Sequence, residues 1–145
     1  MARYSTGVLT TAGSTTLPII SLYGGTTVRP KIKEIGLFNT TTTAVALKLV
    51  RLTTTGTTGS GLVEAPLTFE DTAAIATAFG THTVAPTLGA DLGYRTVLGA
   101  AAGSGIIWTF GEVGLGIPAT ANAGVGVIVE NGTGQAIQAY LVWDE

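Results

Sequence analysis

The sequence contains no cysteine, which excludes a disulfide framework and any thiolate metal site and leaves stability to packing and association. It is also poor in charge, with Asp, Glu, Lys and Arg making up 11% of residues against about 25% in an average soluble domain. A surface so short of charge is expected to hide part of itself against copies or partners. There is a single histidine, His82. A histidine-rich metal site is therefore excluded, and any nucleophile triad would have to be built on His82 alone. Ser14, Ser21, Ser60 and Ser104 are available to it, but none lies in a G-x-S-x-G elbow. Long hydrophobic runs are missing too. "LGAAAGSGIIWTF" is broken by Gly and Ser and falls short of the roughly 20 residues a spanning helix needs, so no membrane span is expected. "MARYSTGVLTTAGSTT" lacks the apolar core of a signal peptide, and Ala2 departs from the myristoylation pattern; nothing there directs export.

What the chain does have is strand and turn chemistry. Its 145 residues suit one domain, burying about 70% of the surface the unfolded chain exposes. Hydrophobic residues make up 46% and mean hydropathy is +0.47. There are 26 threonines and 21 glycines, formers of strands and of turns. Segments 16–23, 31–39, 44–52, 94–100, 105–111, 124–130 and 136–144 each have strand length, with β-branched or aromatic content and Gly, Thr, Asn or Pro at the borders. An eighth strand is expected from 82–88 or from the N-terminal "YSTGVLTT" lying on a neighbour. Val125, Val127 and Val129 alternate, as do Ile137, Ala139, Leu141 and Trp143. Asn131-Gly132 between them predicts a hairpin over 124–143. "FEDTAAIATAF" (69–79) predicts the only helix, with Asp71 as its cap. It lies in a long excursion, 53–92, between two halves of the fold. The expected architecture is all-β, one antiparallel β-sandwich of jelly-roll type over 17–145, preceded by an N-terminal arm over 1–16.

Few groups qualify for chemistry. "GTTGSG" (56–61) resembles a phosphate loop only in glycine content. It is followed by Leu62-Val63-Glu64-Ala65-Pro66, without the lysine and the helix such a loop requires. The pairs Glu70-Asp71 and Asp144-Glu145 have no carboxylate partner in a defined position across a cleft, as glycoside hydrolysis needs. No D-x-D-x-D-G calcium loop occurs. No metal or cofactor is expected, and the chain is expected to be no enzyme. Arg29, Lys31, Lys33, Lys48 and Arg51 fall on two consecutive strands; if those strands pair, the basic tips form one patch suited to an acidic protein surface. The aromatic interleaving of a nucleic-acid platform is absent. Trp108 and Trp143 sit within strand patterns, as core or interface anchors.

The segments "KIKEIGLFNTTTTAVALKLVRLTTTGTTGSGL", "FGTHTVAPTLGADLGYRTVLGAAAGSGIIWTFGE" and "GTGQAIQAYLVWDE" resemble, in texture and order over about 28–145, the head decoration (cement) proteins of tailed bacteriophages. The resemblance implies a non-enzymatic virion protein, made in the bacterial host cytoplasm, that binds the major capsid protein on the outside of the assembled shell. It further implies a homotrimer at local three-fold positions that stabilises the shell, with neither nucleic acid nor membrane as partner. The contact residues expected on this reading are Arg3 and Tyr4 in the arm, Arg29, Lys31 and Lys33 at the basic tips, Phe79 and His82 in the excursion, and Trp108. Two alternatives use the same sandwich: a phage tail or baseplate component, and a carbohydrate-binding module stacking sugar on Trp108 or Trp143.

Overall fold

The computed structural model describes residues 1–145. Eleven strands follow one another without a helix: β1 (Arg3–Leu9), β2 (Ile20–Tyr23), β3 (Lys31–Asn39), β4 (Val45–Leu52), β5 (Ala65–Pro66), β6 (Thr77–Phe79), β7 (Leu88–Leu98), β8 (Gly105–Thr109), β9 (Leu115–Gly116), β10 (Gly124–Asn131) and β11 (Ile137–Asp144). They form two antiparallel sheets packed as a sandwich. The first has the order β5-β1-β11-β3-β8, with β9 also on β3; the second has the order β6-β2-β10-β4-β7. Period-2 alternation turns one face of each sheet inward. Ile32, Ile35, Leu37, Ile137, Leu141 and Trp143 from the first sheet meet Leu22, Leu47, Leu49, Val125, Val127 and Val129 from the second in one buried cluster.

Three expectations are corrected, and the condition attached to the basic patch is not met. The arm over 1–16 contains a full strand: β1 pairs with β11 from Arg3↔Asp144 to Leu9↔Gln138, and Tyr4 is 2% exposed, stacked on Trp143 at 5.8 Å. The chain's own β11 takes the place of a neighbour. The hairpin over 124–143 does not form, because β10 belongs to the second sheet and β11 to the first. Gly132 adopts positive φ (73°), but the connection arches between sheets, so the two apolar rows face each other across the core instead of sharing a face. Gly134 permits this arch, since a Cβ there would overlap the Ala12 carbonyl.

The helix over 69–79 is replaced by a turn and by β6. Ala76 and Ala78 are buried on alternate positions, and side-chain carboxylates take the amides a helix would have used: Glu145 accepts from Ile75 and Ala76, Glu64 from Ala78. Alanine's helix preference is a weak prior that this tertiary pairing overrides. Finally, the strands 31–39 and 44–52 do not pair; β3 and β4 lie in opposite sheets.

The long excursion from 53 to 87 has a definite course. It leaves β4 and crosses the outer face of the second sheet, where Thr57 bridges Val84 and Gly61 bridges Phe79. It then pairs with β1 through β5, returns up the edge as β6 and recrosses to β7. The result is a two-ply strap. Under it Tyr23, Val50, Leu52 and Ile128 form a second buried cluster, flanked by Phe79 and Leu88. "TTTGTTGSG" is the outgoing ply. Gly56 takes positive φ (59°) and Gly59 lies where a Cβ would overlap the Thr81 carbonyl, so the glycines serve the close approach of the two plies.

Candidate functional site

The strands of both sheets open at one end of the sandwich into a cleft of about 700 Å³. Arg29 and Lys31 reach it from the start of β3, and Arg51 and Leu52 from the end of β4. Ile117 and Pro118 reach it from the loop before β10. Leu52 and Ile117 are each 1% exposed and supply an apolar floor; the three cations supply the rim. Arg51 is held by a 2.7 Å hydrogen bond from Nη1 to the Gly116 carbonyl, while none of the three has a carboxylate within ion-pair distance. Three of the five basic residues singled out in the sequence therefore do converge, by facing one mouth from two sheets and not by strand pairing.

The other two are used internally. Lys33 lies 3.4 Å from Asp144, which also takes a 2.6 Å hydrogen bond from Arg3, and Lys33 donates to the Glu112 carbonyl. The Arg3 hydrogen bond, helped by both positive charges, holds the Asp144 carboxyl below the usual carboxylate range. Lys48 lies 3.6 Å from Asp91, and Arg95 bridges Asp91 and Glu130. The Gly93 amide bond is the main cause that lowers the Asp91 carboxyl.

The remaining candidates sit away from the cleft. His82 is 2% exposed; its Nε2 lies 2.8 Å from Ser21 Oγ, and its ring packs near Tyr23 and Phe79. Ser21 is 1% exposed, and the His82 ring also lies against the Thr55 backbone. The pair lacks the orienting carboxylate and the open approach that nucleophilic catalysis requires, so it pins the strap to β2. Burial pushes the His82 pKa below its ordinary value. Phe79 is half-buried beside Leu88 at the margin of the strap cluster. Trp108 is 6% exposed and Trp143 fully buried; neither lines an open groove for a sugar. Tyr94 meets Trp108 edge-on at 5.9 Å. No group of three His, Asp or Glu side chains is placed to hold a metal ion.

The sequence reading missed the most exposed aromatic of the chain. Phe69 is 99% exposed on a turn closed by the Asp71 amide on the Thr68 carbonyl at 3.0 Å, with Glu70 beside it. Assigning 69–79 to an amphipathic helix had placed Phe69 at a helix start and concealed it. Compared with protein-family models, curated proteins and solved structures, the chain matches none of them.

Proposed function

We propose that this chain is a non-enzymatic structural protein of a virion, one that binds the outer surface of an assembled phage capsid as a trimer and stabilises it. The observation that carries the reading is the exterior. Phe69, Val63, Val113 and Val97 stand 99, 83, 76 and 70% exposed on a chain with few charges, a surface composition suited to association. These are surfaces that gain by association. Strand order adds support. Setting aside the short β5, β6 and β9, the sheets run β1-β11-β3-β8 and β2-β10-β4-β7, the order of two interlocked Greek keys, which we read as a jelly roll, an architecture used by capsid proteins and lectins alike. The buried tryptophans favour the capsid use over the sugar-binding one. No chemistry is required: binding the assembled shell and not its separated subunits stabilises the shell by mass action.

Mixing the purified protein with empty capsids assembled from the major capsid protein of the same genome tests this. Co-sedimentation at saturating stoichiometry with a raised capsid disruption temperature is expected. Absence of co-sedimentation, or its location on tails in intact particles, would reject the reading.

A further inference from the structure

The cations without a carboxylate partner gather in one place, and two of the three acids without any side-chain bond gather in another. Of seven basic side chains, Arg3, Lys33, Lys48 and Arg95 have carboxylate partners; the three that do not are the cleft residues Arg29, Lys31 and Arg51. Of nine acids, only Glu70, Asp71 and Glu112 make no side-chain hydrogen bond or ion pair. Two of these, Glu70 and Asp71, directly follow the exposed Phe69. We propose that the Thr68–Asp71 turn of one copy seats in the cationic cleft of the next. The Phe69 ring lies on the floor of Leu52, Ile117 and Pro118, and the carboxylates of Glu70 and Asp71 meet Arg29, Lys31 and Arg51.

Size, charge and position all fit. A cleft of about 700 Å³ lies within the roughly 300–1,000 Å³ of pockets that enclose a ligand. An aromatic anchor on an apolar floor inside a charged rim is the arrangement that concentrates binding energy, and guanidinium groups pair carboxylates in fixed geometry. The turn cannot fill its own cleft. Leu67 hydrogen-bonds the Arg3 carbonyl, Arg3 faces Asp144 and Asp144 faces Lys31. Turn and cleft therefore stand at the same end of the first sheet but three interstrand spacings apart, on the order of 14 Å. Two different patches, one on each copy, make a heterologous contact, which closes into a ring when the rotation permits. The contact specifies how copies would meet in the proposed trimer, but it is read from the chain's own charges, so its failure leaves capsid binding standing.

Native mass measurement of the full chain at tens of micromolar decides it. The wild type should be oligomeric, and Phe69→Ala or the pair Glu70→Lys and Asp71→Lys, all on an exposed turn, should raise the dissociation constant roughly tenfold or more with the fold unchanged by circular dichroism. Adding Arg29→Glu and Arg51→Glu to the charge-reversed turn should restore association. Because the chain has no cysteine, Glu70→Cys with Arg29→Cys should form disulfides between copies alone. A monomeric wild type, an oligomer indifferent to the turn variants, or cysteines that never cross-link while the wild type associates would each overturn the proposal. Capsid co-sedimentation, measured separately, reports on the function and not on this contact.

Discussion

The two sheets share a core but treat their outer faces differently. On the first sheet the outward residues are covered only by one another: Tyr140 stacks on Phe38 at 6.4 Å, hydrogen-bonds Glu34, and lies over Gly36, where a Cβ would overlap its ring. Desolvation and that carboxylate push the Tyr140 hydroxyl up to about 12. On the second sheet the outward Tyr23, Val50, Leu52 and Ile128 are sealed under the strap. A strand buried on both faces becomes a nearly continuous apolar run, which is why β10 is buried at six consecutive positions from Gly124 to Val129. The difference teaches that the excursion is an outer wall of the sandwich. It covers Tyr23 of β2, Ile128 of β10 and the end of β4, and on its own outer side presents Val63 and Phe69 to solvent.

Substitutions on equivalent outward positions test that contrast, and the largest effect is expected under the strap. Ile128→Ala should cost about 2–5 kcal/mol in denaturant unfolding, as much as a core truncation; a loss below about 1 kcal/mol would show that the strap does not seal the sheet. Next comes Gly59→Val, which forces the two plies apart and should cost about 1–3 kcal/mol, with faster proteolysis in 53–61 as the companion readout. Smaller is the acid sensitivity of the strap. Burial places the His82 pKa below its ordinary 6.5, so as pH falls through that value the unfolded chain takes up a proton that the folded chain resists. Stability should decline from about pH 6.5 downward until the folded pKa is reached. His82→Gln should flatten this slope and leave the more acidic losses from Asp91 and Asp144, whose folded pKa values are lowered. An unchanged slope would remove His82 from the account. Least affected should be Val142→Ala on the open face of the first sheet, where a loss above about 1 kcal/mol would erase the contrast.

Strand positions were legible because β-branched residues bounded by Gly, Thr and Asn leave a local signature; β3, β8 and β11 lie almost where the sequence places them. Sheet membership was not legible. The valines of β10 and the alternating residues of β11 look the same whether they share a face or confront each other, and the fact that decides it, the passage of Gly134 against Ala12, depends on residues over 120 positions apart. The strap was visible as a long excursion but not as a cover, because its Thr-Gly composition carries no apolar periodicity. Arg29, Lys31 and Arg51 line one cleft, but they meet across two sheets, a placement that spacing within neighbouring strands does not carry. Phe69 was misplaced because the alanines after it carry helix propensity that Glu145, from the far end of the chain, overrides.

Association falls to the apolar residues that stay exposed, Phe69 and Val63 on the excursion and Val97 and Val113 outside it. An image reconstruction of capsids saturated with the protein measures this most directly. The account predicts three touching copies on the outer surface at each local three-fold position. Density on the tail or within the shell, or bare capsids at saturating protein, would contradict it.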